Sequence, residues 1–113
     1  MRRSSKAWRW WRDGLAMGLA VIAGQAVAGD AETGAARLSY LVRQDCGSCH
    51  GLTLRGGLGS PLTPEMLARW DRDQIVAIIL DGIPGTPMPS WRALLSEAEA
   101  RWIADSLKQG TLQ

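Results

Sequence analysis

Apolar residues recur at helical spacing in several stretches after residue 29, and no stretch shows the strict alternation of a strand. Residues 30–45 predict a first amphipathic helix. Residues 71–81 and 96–109 each open with an Asp or Ser followed three positions later by Gln or Glu, which is a capping box. A glycine follows each, at positions 82 and 110, as expected for a helix C-terminus. The positions expected to be buried are Ala31, Ala35, Leu38, Leu41 and Val42, then Ile75, Val76, Ile78, Ile79 and Leu80, then Ala98, Trp102, Ile103 and Leu107.

Three further features complete the predicted all-α layout. Thr63 and Pro64 open a short helix that is expected to reach about Trp70. Residues 51–62 contain four glycines and a proline and predict a loop, whose leucines are expected to line a pocket. Residues 82–91 contain three prolines and two glycines, which predicts a stiff, extended segment. Gly34 allows either the close approach of another helix or a frayed helix end.

The N-terminal segment has the layout of a secretory signal peptide. Residues 1–13 carry five basic residues and one acidic residue, and residues 14–29 carry no charge. The small-x-small sequence ending at Ala28 predicts cleavage after that residue. The sequence thus predicts a signal peptide over residues 1–28 and one domain over residues 29–113. An uncleaved membrane anchor is the alternative, although sixteen uncharged residues fall short of the ~20 that span a bilayer.

Cleavage would reverse the sign of the net charge. The whole chain is +2, but losing five basic residues and one acidic residue leaves eight basic against ten acidic residues, or −2. The basic pI of the full sequence is therefore no argument for nucleic-acid binding.

The candidate chemistry is concentrated in Cys46-Gly47-Ser48-Cys49-His50, a C-x-x-C-H motif typical of covalent haem attachment. Each thiol can add to one vinyl group of the same porphyrin, and the histidine can serve as the proximal iron ligand. The chain's two cysteines and its one histidine all lie in this motif. A structural zinc site would need about four N or S ligands. A thioredoxin-like redox pair would need a βαβ pattern, which the flanking residues do not show.

Two further groups would complete a haem site. Met88, between Pro87 and Pro89, has little conformational freedom and is the better candidate for the distal iron ligand; Met66, in the predicted short helix, is the alternative. The Nδ1–H of His50 needs a hydrogen-bond acceptor, and a backbone carbonyl near Pro61 could provide it.

The order of Cys46, Cys49, His50 and the segment 87–91 resembles that of class I cytochromes c across residues 30–110. The runs at 46–59, 80–91 and 94–100 resemble the small periplasmic cytochromes c55X of denitrifying bacteria. This resemblance implies a small all-α fold of about four helices around one covalent haem c, with the first and last helices crossing. It also implies iron held by His50 and Met88, and Trp91 near a haem propionate.

The function implied is that of a periplasmic electron carrier and not of an enzyme. The implied partner is the cd1 nitrite reductase, with no nucleic acid and no membrane span after cleavage. Charges such as Arg55 and Arg92 would steer the approach of that partner. One alternative is a role in maturation of the reductase's haem d1. Another is a haem protein with a labile sixth ligand that acts as a sensor.

Overall fold

The structure, a computed structural model, describes residues 26–113, and all regular structure in this range is helical. A π-helical segment (Val42–Cys46) joins α1 (Ala26–Leu41) to α2 (Gly47–His50), so these three elements form one continuous run. The described residues therefore contain four helical runs and no strand, which confirms the all-α prediction. The elements are α1 (Ala26–Leu41), the π segment (Val42–Cys46), α2 (Gly47–His50), α3 (Pro64–Leu67), α4 (Arg72–Asp81) and α5 (Glu97–Gln109).

The predicted signal peptide, residues 1–28, lies almost wholly outside the described residues. The signal peptide and its cleavage after Ala28 therefore stay predictions. Within residues 26–113, none of the helices combines the length and the apolar character that a bilayer crossing requires.

Both predicted capping boxes are present. In α4, the Asp71 carboxylate accepts the Gln74 backbone N–H at 2.8 Å, and the Gln74 side-chain oxygen accepts the Asp71 N–H at 3.0 Å. In α5, Ser96 and Glu99 exchange the equivalent bonds at 3.2 and 2.8 Å. Each box satisfies two of the backbone donors that a helix N-terminus leaves free.

Helix α3 is shorter than predicted. Thr63 caps it as expected, but it ends at Leu67 and not near Trp70. The reason is that Asp71 must adopt an extended conformation (φ −76°, ψ 166°) to cap α4. The chain leaves the helix in a turn, in which the Trp70 N–H donates to the Leu67 carbonyl at 3.0 Å. The Lys108 ammonium on α5 also donates to that carbonyl, at 3.2 Å, and so closes the end of α3.

The first helical run also differs from its prediction. The helix already includes Ala26 and continues past residue 45, through the π segment into α2. In the π segment, the Gly47 N–H donates to the Val42 carbonyl five residues earlier. Among the described residues, nothing lies within 4 Å of a Cβ built on Gly34, so of the two alternatives for this glycine the close approach of another helix is not observed.

The core lies where α1, α4 and α5 meet the loops. On α5 the buried face repeats at positions 100, 103, 104 and 107, the spacing of one helical face. Ala98 lies about 200° around the helix from position 100 and is exposed, so its predicted burial is wrong. The buried apolar residues are Leu38, Val42, Leu54, Leu67, Ile75, Val76, Leu80, Leu95, Ala100, Ile103, Ala104, Leu107 and Leu112.

The first and last helices pack against each other, and an ion pair joins them. The Arg37 guanidinium on α1 donates to the carboxylate of Glu99, the residue that also closes the capping box of α5. Because both side chains are partly exposed, this pair is a weak source of stability. It lies where α1 meets the start of α5.

Candidate functional site

The C-x-x-C-H motif lies where the first helical run ends. Cys46 closes the π segment, and Cys49 and His50 belong to α2. Because residues three apart on a helix share a face, the two thiols lie on the same side of this run. No disulfide joins them; Cys46 is half-buried and Cys49 is exposed. Burial, with a further contribution from the Asp45 carboxylate, raises the pKa of Cys46 to about 11, so this thiol is neutral and unlike a redox-active thiolate.

The His50 ring is oriented by one hydrogen bond. Its Nδ1 lies 2.7 Å from the backbone carbonyl oxygen of Ser60. Since a carbonyl can only accept, Nδ1 carries the proton and Nε2 keeps a lone pair for a metal. The predicted acceptor near Pro61 is therefore confirmed, as Ser60 directly precedes that proline.

The loop of residues 51–62 folds back onto the end of α2. The Gly56 N–H donates to the His50 carbonyl, and the Gly59 N–H donates to the Cys49 carbonyl, each at 2.8 Å. These bonds satisfy carbonyls that the helix end leaves free, and they fix the loop against the motif. The loop leucines do not share one environment. Leu54 is fully buried at a φ of 57°, whereas Leu58 is 96% exposed.

Gly59 allows the loop to touch the imidazole ring. A Cβ built on this residue would lie 2.8 Å from both Nδ1 and Cε1 of His50. Real Cβ atoms essentially never come that close to a ring atom, so any larger residue would have to move the ring or the loop. Gly59 is therefore a site residue, which the sequence revealed only as one of four loop glycines.

We expect Gly59→Ala to weaken the holoprotein. The added methyl group overpacks against the ring and disturbs the bond from His50 to Ser60, at a cost of about 1–3 kcal/mol. Denaturant unfolding of the holoprotein measures the change. Gly34→Ala is the matched control: its methyl group meets no described residue, and the helix should gain up to about 1 kcal/mol. An unfolding midpoint for Gly59→Ala equal to that of the unmodified protein would contradict this account.

Met88 lies in a separate loop, residues 82–91, whose backbone is held at the methionine itself. The Met88 carbonyl accepts the Ile83 N–H at 3.2 Å, and the Met88 N–H donates to the Thr86 hydroxyl at 3.3 Å. Gly82, at a φ of 71°, allows the start of the loop to pass close to Met88: a Cβ there would lie 2.7 Å from the Met88 carbonyl oxygen. The half-buried Met88 is therefore presented by a loop that its own contacts make rigid.

The base of this loop is closed by three contacts with the end of α4. The Ser90 hydroxyl donates to the Leu80 carbonyl at 2.5 Å, and the Trp91 N–H donates to the Ile79 carbonyl at 3.1 Å. Arg92 donates through Nε to the Asp81 carboxylate at 3.0 Å. Arg92 is one of the charges expected to steer a partner's approach, and its pairing with Asp81 reduces the net charge at this position.

The donor set fits a covalently attached haem. Two free thiols share one helical face, the His50 Nε2 is available to a metal, and a thioether sulfur is offered from a rigid loop. Within residues 26–113, by contrast, no three His, Cys, Asp or Glu side chains gather closely enough to hold a metal ion. The described part of the chain therefore lacks the ligand set of a structural zinc site. Iron ligation by His50 and Met88 stays a prediction.

Comparisons with known proteins agree with this chemistry. The family described as "Cytochrome C oxidase, cbb3-type, subunit III" matches residues 33–105. Cytochrome c55X of Paracoccus denitrificans is 57% identical over 96 residues, which cover 82% of this chain and 91% of that protein. A solved c-type cytochrome NirC superposes with a TM-score of 0.68 at 52% identity, covering 69% of this chain and 92% of that one.

A larger protein is also similar. The dihydro-heme d1 dehydrogenase of Pseudomonas aeruginosa is 40% identical over 96 residues, or 85% of this chain. Those residues make up 18% of that enzyme, so the likeness concerns one small part of it.

Proposed function

The chain is a monohaem c-type cytochrome of the cytochrome c55X family with covalently bound haem c, and from this we propose that it carries single electrons in the periplasm to the cd1 nitrite reductase. The observation that carries the proposal is that hydrogen bonds hold both candidate iron ligands in place. The His50 ring is fixed through Ser60, and the Met88 backbone is fixed through Ile83 and Thr86. Electron transfer favours a site that changes little between oxidation states.

Each site residue has one task in this proposal. The Cys46 and Cys49 thiols hold the porphyrin through thioether bonds. His50 would supply Nε2 to the iron, and Met88 would supply its sulfur. The bound group supplies one-electron Fe(II)/Fe(III) chemistry, and a methionine opposite a histidine raises its reduction potential. If His50 and Met88 both bound the iron, no coordination site would be left for a substrate, and we therefore propose no catalytic activity.

The partner surface is proposed around the loop of residues 51–62. Leu52 and Leu58 are 72% and 96% exposed and give this loop an apolar face next to the haem motif. Arg55, also exposed, adds a positive charge beside them. Redox partners must separate after each transfer, so an interface under about 1,200 Å² is expected. Because Arg92 is paired with Asp81, Arg55 is the stronger candidate for steering.

A role in haem d1 maturation is the second candidate function. The observation that favours it is the 40% identity to a segment of the dihydro-heme d1 dehydrogenase of Pseudomonas aeruginosa. Oxidation of a dihydro compound releases electrons, and a small cytochrome domain could accept them one at a time. This candidate requires the same haem site and differs only in the partner.

We expect reduced protein to transfer electrons to the cd1 nitrite reductase far faster than to an unrelated periplasmic acceptor of similar potential. Stopped-flow mixing with each acceptor measures the two rates. Leu58→Ser should slow transfer to the reductase about five- to tenfold, the effect of losing one apolar contact at a small interface. The matched control is Ala77→Ser, an exposed position on α4, which should leave the rate unchanged.

The outcomes separate the candidates. Equal rates to the two acceptors would refute a dedicated donor. No transfer to the mature reductase, together with binding to its form lacking haem d1, would select the maturation role. A rate insensitive to Leu58→Ser would remove the proposed contact surface.

A further inference from the structure

The Thr86 hydroxyl lies at the centre of the turn that holds Met88. It donates to the Ile83 carbonyl at 2.7 Å and accepts the Met88 N–H at 3.3 Å. The Thr86 backbone N–H donates to the same Ile83 carbonyl at 3.1 Å. The Ile83 N–H in turn donates to the Met88 carbonyl at 3.2 Å. The Thr86 hydroxyl oxygen therefore bridges Ile83 and Met88, two residues that also bond to each other directly.

The sequence makes this hydroxyl hard to replace. Pro87 and Pro89 have no N–H, so between Thr86 and Ser90 the Met88 N–H is the one backbone donor. The Thr86 hydroxyl takes that donor. The other hydrogen bonds of this turn run from the Thr86 N–H to the Ile83 carbonyl and from the Ile83 N–H to the Met88 carbonyl, so neither can replace the acceptor of the Met88 N–H. The remaining contacts of the loop, at Ser90 and Trp91, act at its base.

We propose that Thr86 is a positioning residue for Met88: its hydroxyl holds the backbone before the methionine and so makes the thioether ligand harder for an external ligand to displace. This inference rests on the proposed role of Met88 as the distal ligand. Without the hydroxyl, the Met88 N–H loses its acceptor, and the bond from the Ile83 N–H to the Met88 carbonyl is the contact with Ile83 that remains. The open form, in which the sulfur has left the metal, then becomes more populated, and an external ligand that needs this form binds more tightly.

Titration of the oxidised holoprotein with imidazole tests the proposal. Thr86→Val keeps the shape of the side chain and removes the hydroxyl, whereas Thr86→Ser keeps the hydroxyl. Thr86→Val should bind imidazole about fivefold or more tightly, which corresponds to the loss of one hydrogen bond. Thr86→Ser should bind as the unmodified protein does. Ser96→Ala, which removes the α5 cap, is the control: it should lower the unfolding midpoint and leave imidazole affinity unchanged.

Three results would overturn the inference. They are a Thr86→Val affinity equal to that of the unmodified protein, no restoration in Thr86→Ser, or a change that Ser96→Ala reproduces. The spectrum separates this failure from failure of Met88 ligation. If the red charge-transfer band of a methionine–Fe(III) bond is absent from the unmodified protein, or survives in Met88→Ala, the role of Met88 itself is wrong. If the band behaves as expected and Thr86→Val does not, only the role of Thr86 is wrong.

Discussion

A Cys46→Ala, Cys49→Ala double variant is expected to hold no covalent haem after acid–acetone extraction. The reason is chemical: these are the chain's only thiols, and each thioether bond needs one of them. Each single variant should keep at most one bond and give a sharply lower yield of holoprotein. His50→Ala should also lower the yield, because it removes the nitrogen that the Ser60 carbonyl orients for the iron.

Ser48→Ala provides the matched control for this experiment. Ser48 lies between the two cysteines, and its hydroxyl donates to the Asp45 carbonyl at 2.6 Å on the exposed side of the helix. The same hydroxyl lies 3.9 Å from the Cys49 sulfur. Ser48→Ala removes this weak contact but keeps both thiols and the imidazole, so its haem content should equal that of the unmodified protein. Covalent haem in the double cysteine variant would refute thioether attachment at these residues.

Met88→Ala should keep its covalent haem and lose the red charge-transfer band of the oxidised protein. Its reduction potential should fall, because the thioether stabilises ferrous iron relative to ferric iron. Carbon monoxide should bind readily to the reduced variant, since one axial position is then open. Absorption spectra and a redox titration of the two proteins measure these changes.

Met66→Ala is the control for the alternative ligand. Met66 lies in α3 and is half-buried, so its truncation should cost at most about 2 kcal/mol of stability and leave the spectrum unchanged. A band that survives in Met88→Ala and disappears in Met66→Ala would reverse the assignment. An unmodified protein with a high-spin spectrum and rapid carbon monoxide binding would instead favour the sensor alternative.

The features that the sequence predicted correctly depend on residues that are close together in the chain. The capping boxes at Asp71 and Ser96 each involve residues three positions apart, so the pattern contains the whole interaction. The haem motif is likewise contiguous, and the acceptor for His50 was predictable because a ring so placed needs a carbonyl from the following loop. The ends of α4 and α5 were predictable in the same way, because a glycine directly follows each helix.

What the sequence did not predict depends on residues far apart in the chain. Arg92 pairs with Asp81 across the loop of residues 82–91, and no local pattern distinguishes it from a free surface arginine. Ala98 was misassigned because the alanines on α5 differ only in angular position, which the packing against α4 decides. The early end of α3 required weighing two competing helices, of which α4 has the stronger cap.

The π segment between α1 and α2 sets an angular relation between the core and the haem motif. Leu38 is buried in the core on one side of this run, and Cys46 follows eight residues later with the extra residue of the π turn in between. One residue added to or removed from a helix turns everything beyond it by about 100°. The number of residues between Leu38 and Cys46 therefore sets the angle between the core face and the thiols, and an insertion or deletion of one residue there would point the thiols away from the site they serve.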